Sequence, residues 1–364
     1  MQSLEKHIWN SYTREDLQAL QITPPDEEIA RLVQENLDTV SKPLDSLGRF
    51  EPLIAQIGAI LGTTQIDISR KAVIIMCGDN GVVEEGISQS GQEITAAVAK
   101  RMVSKDTSVG RMAAVIGAET IPVDIGINCK EPIPGLVQKK IRQGTRNFRR
   151  EPAMTEEEAI GAIFTGIEMV SACKEQGYGI LGTGEMGIGN TTTSSAIAAS
   201  FLDCPVQEVT GKGAGLSSAG LVKKQQVIEE AIEKYQLRKA DPLRVLATVG
   251  GLDIAGLTGV CIGGALYHIP IVLDGVIGLA AALVAEELLP GSKAYWIASH
   301  KGKEPAVERI AQKLQLYPVI DGNLALGEGT GAVMMMSLLD MALSIYQDRT
   351  TFDDMKIEPY QRLN

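Results

Sequence analysis

Residues 179–202 read GILGTGEMGIGNTTTSSAIAASFL, a short apolar run, a glycine-rich turn, and a helical stretch opened by Asn190 and three threonines. Strand, tight loop and helix in that order form the unit from which parallel α/β sheets are wound. The texture recurs in both directions. AVIIMCGD (72–79), TIPVDIG (120–126), YGILGTG (178–184), IPIVLDG (269–275) and AYWIASH (294–300) are short β-branched runs. Between them, 93–116, 155–176, 191–202, 217–235, 275–289 and 304–314 carry helical length and periodicity. The pattern predicts an α/β fold with a doubly wound, mostly parallel, Rossmann-like sheet.

The flanks differ from this middle. Residues 1–65 show helical patterns without a strand signal; PPDEEIARLVQENLDTV places Ile29, Leu32, Val33, Leu37 and Val40 at helical spacing. Thr330 to Tyr346 reads as a long apolar helix before a polar tail. The expected division is a large catalytic domain over 66–330 and a small helical domain joining 1–65 to 331–364. Residues 254–273 hold 20 positions without a formal charge, but also four glycines, His268, Tyr267 and Pro270. That mixture predicts a buried helix and strand rather than a membrane span.

Composition narrows the function. With 34 basic and 45 acidic residues the net charge is -11, which opposes a nonspecific phosphate-backbone footprint on nucleic acid. The five cysteines lie far apart without a CxxC pair, so neither a zinc site nor a disulfide framework is expected. The first residues carry both charge signs and no apolar core of a signal peptide, and the expected location is cytoplasmic.

Three motifs carry chemistry. In the 179–202 stretch the amides of Gly187, Ile188, Gly189, Asn190, Thr191 and Thr192 lie where a helix start can hold a phosphate. The same turn capped by Asn or Thr needs no ligand. Gly182, Gly184 and Gly187 also satisfy GxGxxG, yet no acidic residue ends a following strand about 20 positions on, and a dinucleotide site loses support. GDNGVVEEGISQSGQEIT (78–95) places Asp79, Asn80, Gly81, Ser88 and Gln92 in a polar loop after the first strand, where binding sites collect or where a solvated loop simply lies. LGEGTGA (326–332) sets Glu328 between Gly327 and Gly329 after Leu326. A carboxylate there could be only dipole-stabilising, but bare flanks let a planar substrate reach a base. Lys212 and Gly213 in TGKGAG, and Arg146, Arg149 and Arg150 in GTRNFRR, are further candidates for an anion.

Taken together, GDNGVVEEGISQSGQEIT, DIGIN, GTRNF, GTGEMGIGNTTTS, TGKGAGL, ASHKGKEP and LGEGTGA resemble, in order, the nicotinate-nucleotide–dimethylbenzimidazole phosphoribosyltransferase family, known as CobT. The resemblance runs from about Ser46 to the last long helix. It implies transfer of the 5-phosphoribosyl group of nicotinate mononucleotide to a benzimidazole nitrogen with inversion, in cobalamin nucleotide-loop assembly. It implies Glu328 as general base, with Glu185 near the ribose. It further implies phosphate contacts at Gly187 to Thr192, Lys212 and Ser299, and a base pocket including Asp79, Asn80, Gly81, Ser88, Gln92 and Leu326. A homodimer is implied, and no cofactor. Because the leaving ring is a pyridinium, its departure neutralises a positive charge and one base suffices; no metal is expected. Many members carry Asp-His-Gly at 79–81 and an aromatic-Pro-Gln at 90–92. The departures Asn80, Ser90 and Gly91 leave the acceptor open among benzimidazoles, adenine and a phenolic ring.

Overall fold

The structure is a computed structural model and describes residues 11–362. Six strands, β1 (Lys71–Gly78), β2 (Glu119–Gly126), β3 (Val137–Gln138), β4 (Ile180–Met186), β5 (Ile271–Leu273) and β6 (Trp296–Ala298), form one parallel sheet in the order β3-β2-β1-β4-β5-β6. That is the doubly wound order, and the chain reverses its direction of travel between β1 and β4. All eight residues of β1 are buried, as a central strand covered on both faces requires. A second, two-stranded sheet pairs β7 (His300–Gly302) with β8 (Ile320–Leu324).

Helices α1 (Arg14–Gln18), α2 (Glu27–Thr39) and α3 (Phe50–Leu61) precede the sheet. The helices that follow are α4 (Glu93–Val103), α5 (Ser108–Val115), α6 (Glu156–Glu175), α7 (Asn190–Leu202), α8 (Ser218–Tyr235), α9 (Pro242–Val249), α10 (Leu252–Tyr267), α11 (Val276–Leu288) and α12 (Ala306–Leu314). Then α13 (Thr330–Gln347) and α14 (Phe352–Met355) close the chain. Val33 and Leu37 of α2, Ile54 and Ile57 of α3, and Met335, Met336 and Leu339 of α13 share one apolar cluster with Ile180, Val272 and Ile297 of the sheet. Helices from both chain ends thus lie against one sheet face.

The uncharged stretch around α10 owes its four glycines to packing. A Cβ at Gly259 would overlap the Ile163 carbonyl of α6, and one at Gly166 would overlap Gly256 O. Only bare backbone lets these two helices approach so closely, and α10 is buried along nearly its whole length. No helix among the described residues is long and apolar enough to cross a membrane.

One expected helix is two. Residues 93–116 keep an apolar period, but Lys105 adopts a left-handed conformation at φ 57° and the Thr107 side chain caps a new helix through Gly110 N. The break between α4 and α5 creates a helix start where continuous periodicity predicts none, and that start reaches the site. The short strands β3, β7 and β8 and the helix α9 were not expected from the sequence pattern.

Candidate active site

The carboxyl ends of β4 and β5 open into a crevice next to the switch in strand order, near the place where such sheets bind ligands. A cavity of about 320 Å³ lies there. Its walls include Glu185, Gly187, Ile188, Asn190 and Thr191 from β4 and the turn into α7. Leu326, Gly327 and Glu328 adjoin Glu185 in the wall, and Gly213, Asp274, His300, Lys303 and Glu304 are further lining residues. Val98, Met186, Ile188 and Leu326 supply apolar surface, a setting for a flat ring beside polar groups.

Glu328 is held in a strained pose. Its φ is 62°, between Gly327 at 81° and Gly329 at 95°, and a non-glycine residue there costs roughly 1–3 kcal/mol. The flanking bonds fix it. Gly329 N and Gly331 N donate to the two oxygens of Asp274, at 3.2 and 2.8 Å, and Glu328 N donates to Glu185 Oε1 at 3.3 Å. Val109 N, at the start of α5, donates to Glu328 Oε2 at 3.0 Å. The other carboxylate oxygen has no protein partner among the described residues. A base needs that combination, one oxygen anchored and one available.

Glu185 sits beside it at the end of β4, and a carboxylate oxygen accepts from Asn190 Nδ2. Burial first, then the charges of Asp253 and Asp274, push Glu185 up to about 7. Asp274 is raised in the same direction by burial, opposed by His300, whose Nδ1 lies 3.9 Å from Asp274 Oδ1. His300 is depressed by its own burial and also meets Ser299 Oγ at 2.9 Å.

The candidates named from sequence divide into wall and support. Glu185, Gly187, Ile188, Asn190, Thr191, Gly213, Leu326, Gly327 and Glu328 line the main cavity. Ser88, Gly189 and Lys212 line a small adjoining recess of about 80 Å³. Thr192 and Ser299 are buried and line neither. Asp79, Asn80, Gly81 and Gln92 stand one layer back rather than in the wall: Asp79 accepts from Asn128 N at 2.7 Å, and Gln92 donates to Asn80 O at 3.1 Å. A Cβ at Gly81 would overlap Thr145 O. This layer braces the turn, since Asn80 Nδ2 donates to Ile188 O at 3.4 Å.

The amides of the turn are less open than its glycines suggest. Ile188 N is bonded to Thr95 Oγ1, Asn190 N to Gly187 O and Thr192 N to Gly189 O. The arginines of GTRNFRR face carboxylates instead of the cavity: Arg146 pairs with Glu158, Arg149 with Glu85 and Glu230, and Arg150 with Glu84.

A cation that sequence reasoning missed lies under the start of α7. Lys224 of α8 is fully buried, and its Nζ donates to Thr191 Oγ1 at 2.9 Å and Gly211 O at 3.1 Å. Desolvation pulls it down to about 8, against the charge of Glu304. The signal was present: Lys224 precedes Val227, Ile228, Ala231 and Ile232 on the buried stripe of α8. Glu304, also missed, accepts from Gly213 N at 2.8 Å and so holds the glycine loop that carries Lys212.

A glycine-walled crevice beside the switch point, with two adjacent carboxyl groups and a buried lysine beneath a helix start, has the parts of an enzyme active site. A family model described as Phosphoribosyltransferase matches residues 22–357, and the chain belongs to that family. The chain is 42% identical over 336 residues to a nicotinate-nucleotide–dimethylbenzimidazole phosphoribosyltransferase of Ruminiclostridium cellulolyticum, covering 92% of this chain and 96% of the relative. A protein of the same name from Geotalea uraniireducens is 42% identical over 334 residues, covering 92% and 95%. The crystal structure of CobT from Thermus thermophilus superposes with a TM-score of 0.86 at 33% identity, over 91% of this chain and 99% of that one. The protein is a phosphoribosyltransferase, as the order of its sequence blocks led us to expect.

Proposed function

We propose that the enzyme moves the 5-phosphoribosyl group of nicotinate mononucleotide onto 5,6-dimethylbenzimidazole or a related base. The products are nicotinate and α-ribazole 5'-phosphate, which places the reaction in cobalamin nucleotide-loop assembly. One ring nitrogen of the acceptor attacks C1' from the face opposite the leaving ring, and a β linkage becomes an α linkage. The C1'–N bond to nicotinate breaks with its electron pair passing to the pyridine nitrogen. The acceptor's N–H proton passes to Glu328, while Glu185 faces the sugar. The observation that carries this reading is Glu328, anchored through Oε2 to Val109 N beside Glu185 in the wall of a cavity with apolar sides.

Incubation with nicotinate mononucleotide and dimethylbenzimidazole should release nicotinate and α-ribazole 5'-phosphate in equal amounts. No nicotinate, or a product of β configuration by proton NMR, would overturn the proposal. Competition among benzimidazoles, adenine and p-cresol then identifies the preferred acceptor.

We further propose a homodimer. On α13, Met334, Met341 and Ile345 are 36, 57 and 40% exposed and recur at a spacing that aligns them on one helix face. Light scattering should give twice the chain mass, and Met341→Glu should shift the equilibrium toward monomer. A wild-type monomer at micromolar concentration rejects the idea.

A further inference from the structure

Behind Glu185 lies a second carboxyl group to which the proposed chemistry assigns no task. Asp253, near the start of α10, has no exposed surface. Its Oδ2 accepts from Asn190 Nδ2 at 3.1 Å, and its Oδ1 from Ile254 N at 3.0 Å. No lysine, arginine or histidine forms an ion pair with it among the described residues. The titratable groups facing it are Glu185 of β4 and Cys77 of β1, both acids.

Asn80 presents a problem that Asp253 can solve. Its amide nitrogen is turned to Ile188 O, while its Oδ1 is buried without a hydrogen-bond partner. A buried carbonyl left unpaired costs roughly 1–3 kcal/mol. Asn80 Oδ1 and Asp253 Oδ1 converge on the same point beside Gly251, where a Cβ would overlap both. Both oxygens lie 2.3 Å from that point, and a proton on Asp253 would supply the donor that Asn80 Oδ1 lacks.

We propose that Asp253 works as a neutral carboxylic acid, donating its O–H to Asn80 Oδ1 while accepting from Asn190, and so is the positioning residue that aims Asn190 at Glu185. The inference rests on Glu185 serving the ribosyl transfer proposed above. Burial supports the protonated form, raising Asp253 to about 7 although the hydrogen bonds it receives, from Asn190 and Ile254 first, favour the carboxylate. An acid buried without a cation keeps its proton in preference to an uncompensated charge. Asn190 then holds two carboxyl groups with one amide, and the orientation of Glu185 depends on a group that never meets substrate.

The pair Asp253→Asn and Asp253→Ala tests this. An asparagine can repeat the contacts to Asn80 and Asn190, its Nδ2 donating to Asn80 Oδ1 and its oxygen accepting from Asn190, while giving up the bond that Asp253 Oδ1 accepts from Ile254 N. It should keep kcat within about threefold of wild type near neutral pH, whereas alanine should lose about tenfold or more in kcat with a smaller change in donor KM. Because the wild-type acid ionises as pH rises and the amide does not, the ratio of Asp253→Asn to wild-type activity should climb between about pH 6 and about pH 8.5. Stability follows the same sign. The folded-state value lies above the unfolded one, so the stabilising contribution of Asp253 is complete at low pH and lost as pH rises through about 7. Asp253→Asn should therefore gain in melting temperature over wild type in the alkaline range.

Isotope-edited infrared spectroscopy gives a readout independent of catalysis. Below neutral pH, wild type should show a protonated-carboxyl band that Asp253→Asn lacks. A tenfold loss in the folded Asp253→Asn enzyme, or the absence of that band, overturns the inference. If wild type releases no nicotinate while the band is present, the reaction is misassigned but the neutral acid stands.

Discussion

Glu328→Gln should lower turnover by roughly 10²- to 10⁴-fold, the range that a positioned general base contributes. The substitution is nearly isosteric. A glutamine oxygen can still accept from Val109 N, and the backbone bonds to Asp274 and Glu185 do not involve the side chain. Cavity shape and the left-handed backbone at 328 should therefore survive, and the lost quantity is a single proton acceptor. Donor KM should change little if the phosphoribosyl group is held, as proposed, by groups other than Glu328. The separation of kcat from KM is the measurement that matters, with unfolding followed in parallel to show the variant is intact. Turnover within threefold of wild type would remove Glu328 from the mechanism. A change confined to KM would assign it to binding.

That Glu328 stood out in the sequence while its support did not has a physical cause. A carboxylate between two glycines is visible in one dimension, and so are the β-branched runs of β1, β2 and β4 and the glycine turn before α7. Those features rest on periodicity and on local conformational demands, which sequence records directly. The hydrogen bond from Val109 depends on a helix break at Lys105 to Thr107, inside a stretch whose apolar period runs on unbroken. Asp253 and Glu304 act only because α10 and the segment before α12 come back to the crevice, contacts separated by many residues in the chain. The loop at 78–95 shows the converse. Its density of polar groups reads as a binding wall, yet much of that polarity is spent on other segments of the chain: Asp79 and Gln92 bond to Asn128, Asn80 to Ile188 O, and Glu85 and Glu84 to Arg149 and Arg150. Polar density in a sequence marks the neighbourhood of a site more reliably than it marks the surface that touches a ligand.

Lys224→Met should separate function from stability. Methionine nearly matches the buried stem in length and flexibility, so packing around Val227 and Ile228 should hold. The lysine's folded-state value of about 8 lies below its unfolded one. The unfolded chain then binds more protons over the interval from about 8 to about 10.4, and stability rises with pH there. Below about pH 8 the desolvation cost is present in full, and methionine relieves it. Against this stand the bonds to Thr191 Oγ1 and Gly211 O, which are lost. The two effects are of similar size, so the unfolding midpoint near neutral pH should hold or rise, with a smaller advantage above about pH 10. Binding of the donor should respond very differently. Ile188, Asn190 and Thr192 have their amides already committed, and the nearest lining carboxyl group, Glu304, opposes an incoming phosphate. Lys224 lies beneath Thr191 of that cavity's wall, where Lys303 is a second cation, and removing Lys224 should raise donor KM by roughly 10- to 100-fold with a lesser effect on kcat. Titration of the variant with nicotinate mononucleotide checks the first number and a thermal scan across pH checks the second. Unchanged donor KM would mean that phosphate is held elsewhere, with Lys303 in the wall and Lys212 in the adjoining recess as the next groups to replace.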